Sequence, residues 1–322
     1  MKRFLLAILS VMSIPSVAQK IEKYYDYHWK VTDIPHAAFY SKIVKADSGW
    51  HRTDYFIHGL VLQMDGYYTD TACTLKSGRF AYFFANKKLD ATGLYLNNEK
   101  QGLWVSFHSN GMMKDSTVYE EGKPIGISQG WYRDGSIADS SKWNADGSHS
   151  EVGWFNNGSP SLAGFFDSSG KEQGKWKYFY NNGKVSAIEI YDHGTLVDKH
   201  YFDETGNAVS DTTNTDCEAV LTGGDSAWTN YISKHSAYPS QYKIANAEQA
   251  TVVVTALIDV NGNLMDAEVS IPFYLVFDKL ALQVIRASPK WVPARKHNRR
   301  VPQSLTQAIT FRNGEENYFY SP

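Results

Sequence analysis

Gly102-Leu103-Trp104-Val105-Ser106-Phe107-His108-Ser109-Asn110-Gly111 returns as Gly174-Lys175-Trp176-Lys177-Tyr178-Phe179-Tyr180-Asn181-Asn182-Gly183. Aligned on the closing glycine, the pattern recurs at Gly111, Gly135, Gly158, Gly183 and Gly206, spaced 24, 23, 25 and 23 residues apart. Four places before each glycine stands an aromatic: Phe107, Trp131, Trp154, Phe179 and Phe202. The place just before it holds Asn110, Asp134, Asn157, Asn182 or Thr205. Gly122, Gly147, Gly170 and Gly194 run half a period out of phase. A worn earlier copy carries Phe80 and Phe83 and ends on Lys87. A period held over so many copies marks a repeat architecture.

Asn-Gly and Asp-Gly predict two-residue hairpin turns, whose central residues both take positive φ. Two turns per period leave two strands of roughly 6–8 residues. Trp176, Tyr178 and Tyr180 alternate with Lys175 and Lys177, which is strand periodicity. Each period therefore reads as one β-hairpin in a long antiparallel meander. One hairpin cannot bury its aromatic face alone, so neighbours must stack. Phe83, Trp104, Phe107, Trp131, Trp154, Trp176 and Phe179 are the expected core, with Gly111, Gly135, Gly158 and Gly183 in the turns. The Gly-x-Trp-x-x-Phe-x-x-Asn-Gly blocks resemble the bacterial variant of the MORN repeat, found in proteins often labelled antitoxins. The resemblance spans Gly78 to Gly206 and implies a fold, not a chemistry. An open meander has two edges, and one of them could pair two copies into a homodimer.

The chain has 322 residues, 43% of them apolar, and a net charge of −2, enough for two or three domains with a real core. Met1-Lys2-Arg3, an apolar run to about Ile14 and Ser16-Val17-Ala18 read as a cleaved export leader, residues 1–18. The run is short of the ~20 residues that span a bilayer. The expected location is the periplasm, with a retained inner-membrane anchor as the alternative. Cys73 and Cys217 leave a disulfide and two free thiols both open. In segment 19–77, Tyr55 to Tyr68 reads as a diverged hairpin turning at Asp65-Gly66. His28, His36, His51 and His58 have no standard metal-ligand spacing, so no metal is expected.

Repeats fill 78–210, and residues 211–224, polar and ending in Gly223-Gly224, read as a linker. From 225 to 313 the grammar changes, with a tail at 314–322. A short helix over Ser226–Ser233 precedes a strand, Gln249–Val260, an Asn261-Gly262 turn and a return strand, Leu264–Ile271. Phe277, Leu280, Ala281, Val284 and Ile285 follow at helical spacing, and a last strand runs from about Pro302 to Arg312. The fold class is mainly β: an antiparallel β-hairpin repeat array plus a small α+β C-terminal domain. Tyr238-Pro239, Phe277-Asp278-x-x-Ala281, Ser288-Pro289-x-Trp291-x-Pro293-Ala294 and the closing Ile309-Thr310-Phe311 resemble the C-terminal domain of TonB. The departures are at Ala250 and Arg299, where the family usually has glycine, and at Phe277-Asp278 for Leu-Asp. The resemblance implies a protein partner at the cell envelope, in the family an outer-membrane TonB-dependent transporter. It also implies strand addition at a sheet edge. The candidate edge is the last strand, with Ser304, Thr306, Ile309 and Phe311.

The chain lacks Gly-x-Ser-x-Gly, His-Glu-x-x-His, Cys-x-x-Cys and a phosphate loop. Neither catalysis, a cofactor nor a small-molecule substrate is expected. Lys234 to Arg312 carries ten Lys/Arg against five Asp/Glu. Arg295, Lys296, Arg299 and Arg300 concentrate that charge in one loop, a candidate contact for an anionic partner. Nucleic acid is not expected outside the cell. The expected function is non-enzymatic docking of an envelope protein. The alternatives are an antitoxin or immunity-type binder acting through the repeats, and a TonB-type energy transducer.

Overall fold

The computed structural model describes residues 20–213, 216–242, 244 and 249–312; the expected leader and tail lie outside them. From Lys20 to Val209 the chain forms one antiparallel sheet of 16 strands in chain order. It runs from β1 (Lys20–Tyr25) to β16 (Ala208–Val209). The meander thus starts well before Gly78. Asp65-Gly66 is not a turn: both lie inside β4 (Val61–Tyr68), paired with Thr53 and Arg52 of β3 (Gly49–Phe56). Packing explains that glycine. A Cβ on Gly66 would sit 2.2 Å from the Phe80 ring. Gly93 and Gly164 lie in the same way against Trp104 and Trp176.

The turns closed by Gly111, Gly158 and Gly183 differ from the expected two-residue form. Only the glycine has positive φ (92°, 81° and 82°), and the Asn before it does not. These are three-residue loops with a left-handed closing glycine. The Asn side chain works in both directions. Asn110 Oδ1 accepts from the Met112 amide at 3.0 Å, while Nδ2 donates to the Arg133 carbonyl of the next repeat at 2.7 Å. Asn182 does the same with Lys184 and Glu204, both at 2.9 Å. On the opposite side of the sheet, Glu121-Gly122 and His193-Gly194 do take the paired positive φ of a two-residue turn.

Trp104 and Trp176 are buried, and each indole donates to a carbonyl of the preceding strand, Leu94 at 2.9 Å and Phe165 at 3.1 Å. Phe83, Phe107, Trp131, Trp154 and Phe179 are only half-buried, against the expectation of a core role. The backbone of this position matters more than the ring. His108 pairs with the Trp131 carbonyl at 2.7 Å, and Tyr132 donates to that of Trp154 at 2.7 Å. In the two middle copies Ser128 and Glu151 stand where the tryptophans do. The apolar core is accordingly split: Ile43, Met64, Phe80 and Trp104 on one side, Trp176, Tyr178 and Tyr201 on the other. A stack of Trp143, His149 and Phe166 stands between them, with centroids 3.8 and 4.6 Å apart.

The C-terminal unit follows the expected order: α1 (Gly224–His235), β18 (Gln249–Ile258), β19 (Leu264–Ile271), α2 (Leu275–Arg286) and β23 (Gln303–Arg312). Its three-stranded sheet runs β19-β18-β23. Alternate residues Ala250, Val252, Val254 and Ala256 face Phe277, Ala281 and Ile285 of α2 in one core. Val220–Leu221 (β17) already pairs with Trp291–Val292 (β20), so the chain joins this unit before Gly223. Cys73 is buried and Cys217 exposed, both as free thiols. Among the described residues no helix is long and apolar enough to cross a membrane.

Candidate protein-docking site

The three-stranded sheet has two edge strands, and their surroundings differ. At the β19 margin the array presses in. Ser109 donates to Glu268, and Arg133 Nη2 lies 3.4 Å from the same carboxylate. His58, in the turn after β3, meets the Phe273 and Tyr274 rings at 4.2 and 4.5 Å. Burial pushes the His58 imidazole down to about 4, so it is neutral near pH 7.

A third contact comes from the hairpin of β21 (Ala294–Lys296) and β22 (Arg299–Val301), where the sequence concentrates positive charge. His297 and Asn298 form its tip with φ of 52° and 61°, a two-residue turn. The His297 ring stacks on Tyr178 at 3.5 Å and its Nδ1 lies 2.8 Å from Glu189. Burial alone would raise the Glu189 carboxyl, but hydrogen bonds from His297 and Tyr191 outweigh it and hold that carboxyl below its ordinary value. Asn298 Nδ2 donates to the Phe202 carbonyl at 2.9 Å and the Ser186 carbonyl at 3.2 Å. Arg299 Nη1 donates to the carbonyls of Ser161, at 2.8 Å, and Phe179. Of the four basic candidates, Arg299 is therefore turned into the array, and Lys296 pairs with Glu218 at 3.4 Å. Arg300 is exposed and Arg295 half-buried.

The β23 margin is different. Ser270 Oγ donates to the Val253 carbonyl at 3.1 Å, which fixes that carbonyl on the β19 side. Val253 faces Ala308 across the ladder. In an antiparallel pair, a residue directs its N–H and C=O to the same side. Val253–Ala308 is therefore a non-hydrogen-bonded pair, and the Ala308 backbone groups point off the sheet. Gln307 Nε2 donates to the Ala308 carbonyl from that outer side at 2.7 Å. The alternation puts Thr306 and Thr310 in the same class. Beside this edge lies a groove of about 290 Å3, lined by Trp228, Ile232, Tyr238, Ala308 and Thr310. Trp228 Nε1 donates to Gln307 Oε1 at 2.7 Å, tying α1 to the strand. The Tyr238 hydroxyl is buried with no hydrogen-bond partner among the described residues.

Ser304 and Thr306 are exposed on this strand, as a contact role requires. Ile309 and Phe311 are corrected: at 0% and 1% exposure they are core residues, and the parity of the ladder turns their backbone groups toward β18. Sequence reasoning missed Trp228, Gln307, Tyr238 and Ala308. Tyr238 had a signal, because it stands in the Tyr-Pro pair quoted above. The four N-terminal histidines contribute to no group of three metal-ligating side chains among the described residues. His51 and His36 instead pair with Asp65 and Asp33 at 3.0 and 2.6 Å.

No curated protein matches the chain. Residues 234–312 match the family described as Gram-negative bacterial TonB protein C-terminal. That match and the shared order of helices and strands make the C-terminal unit similar to the TonB C-terminal domain, in that family a protein-interaction domain of the cell envelope.

Proposed function

We propose that this is a non-enzymatic docking protein of the periplasm, whose TonB-type domain takes an extended segment of a partner protein as an added strand on β23. The orientation of the Ala308 backbone carries the reading. Its N–H and C=O face outward beside a groove whose tyrosine hydroxyl has no partner among the described residues. Backbone hydrogen bonds would supply affinity and the groove would supply choice. The partner class is an outer-membrane transporter of the TonB-dependent kind. The array, similar to bacterial MORN-variant repeats, holds the β19 margin and aims β23 outward.

The test is capture from envelope extract with the full chain and with Ala308→Pro, which deletes an outward donor while sparing the ladder to β18. An outer-membrane protein captured by the wild type and lost with the variant supports strand addition. Equal capture by both removes it. A second reading has its own observation: Leu94, Leu103 and Ile127, at 50%, 57% and 66% exposure, leave an apolar array face uncovered. Capture that survives Ala308→Pro but fails with Leu103→Glu would favour the repeats as the binding part, as in antitoxin-type proteins.

A further inference from the structure

A cleft of about 1,400 Å3 runs between the turns of the array and the β21–β22 hairpin. Its array wall comes from four successive repeats and presents Tyr132, Phe155, Tyr180 and Phe202. Successive hairpins are two strand spacings apart, roughly 9.5 Å, so the wall extends on the order of 30 Å. That length suits an extended chain of roughly nine residues.

The facing wall carries Arg295, Arg299 and Arg300. Among the described residues none of the three pairs with a carboxylate, although neighbouring Lys296 does. Arg299 is held by the array: its Nη1 rests on two carbonyls, and its guanidinium lies 5.2 and 5.9 Å from the centroids of the Phe155 and Tyr178 rings. Arg295, half-buried, and exposed Arg300 are the cations that would meet a ligand carboxylate. The array lip is acidic, with Asp134, Asp203 and Glu204. On the domain side Asp259 caps its own turn, and Asp266 lies 4.0 Å from Arg133. A polyanion would be repelled by the acidic lip. A chain carrying both charges complements both walls.

We propose that this cleft is a second peptide-binding site, taking an extended segment of mixed charge. A carboxylate sits against Arg295 and Arg300, and a basic side chain against Asp203 and Glu204. The site is separate from the β23 edge and does not depend on strand addition there.

The experiment is fluorescence anisotropy on the full chain with labelled synthetic peptides of about ten residues, roughly the length the cleft holds. Glu and Lys are placed in permuted order on a Gly/Ser background, with an all-Glu peptide and sodium polyphosphate as controls. The expected result is saturable binding of at least one mixed peptide, weakened about tenfold or more by Arg300→Glu. Ala308→Pro should retain it, and both controls should bind at least about tenfold more weakly. Three results would overturn the site: no mixed peptide binds, Arg300→Glu has no effect, or polyphosphate binds equally well. Binding lost with Ala308→Pro but kept with Arg300→Glu would also overturn it, while supporting the β23 edge.

Discussion

The two margins of one small sheet have opposite fates. At β19 the array supplies Ser109, Arg133 and His58, and the nearby β21–β22 tip inserts His297, Asn298 and Arg299 among array carbonyls. At β23, among the described residues, the outward backbone groups meet a groove, one helix and the Gln307 side chain. An exposed edge invites pairing with another chain, and proteins usually blunt it. Here the array engages one margin and, among the described residues, not the other. The difference teaches that the array is more than a spacer: it covers one edge of the sheet and, on our proposal, leaves the other to a partner.

The comparison is broken most severely by proline on the wrong parity. Ile309→Pro removes a ladder bond to β18 and a fully buried side chain. It should cost about 3 kcal/mol or more and unfold the C-terminal domain, as chemical denaturation would show. Ala308→Pro, one residue away, should cost about 1 kcal/mol or less, because Pro is tolerated on an edge facing solvent.

Acid should loosen the array side first. The folded His58 pKa lies below the unfolded value of about 6.5, so the folded state binds fewer protons. Its contribution is complete above about pH 6.5 and is lost as pH falls toward about 4, a change of about 1–3 kcal/mol. Glu189 has a lowered carboxyl, so its contribution is present above about pH 4.3, the unfolded value, and lost on further acidification through its folded pKa. Thermal unfolding against pH checks this, and His58→Phe should flatten the first phase.

Asn298→Ala leaves the Phe202 and Ser186 carbonyls short of a donor and should weaken the docked hairpin by about 1–3 kcal/mol. Faster amide exchange across 294–301, with exchange in β18 unchanged, would be the signature. Tyr238→Phe should leave stability within about 0.5 kcal/mol, since the hydroxyl has no partner to lose among the described residues. It should still weaken partner binding by about 1 kcal/mol if an added strand satisfies that hydroxyl, a difference calorimetry can read. Glu268→Ala is the smallest change, about 0–1 kcal/mol, because the pair it breaks is partly solvated.

Much of this was legible in the sequence. The 23–25-residue period and its glycines announce the meander, because turn geometry demands those residues at fixed intervals. The C-terminal order was readable from strand and helix periodicity. Asp65-Gly66 misled because a glycine lying against an aromatic ring has the same letter as a turn glycine, and only the cross-strand neighbour Phe80 separates them. Ile309 and Phe311 misled because edge exposure depends on hydrogen-bond parity, which is set by register and absent from composition. The charged loop was visible, but its docking was not. Arg299 meets Ser161 and Phe179 across 138 and 120 residues of chain, a tertiary contact that no local pattern encodes.

Residue-resolved amide exchange along β23 in the free protein tests the central claim most directly. The outward amides of Thr306, Ala308 and Thr310 should exchange orders of magnitude faster than that of Ile309, in strict alternation. Uniform protection along the strand, or the opposite alternation, would mean that this edge is already paired or faces inward. Either result would contradict docking on β23.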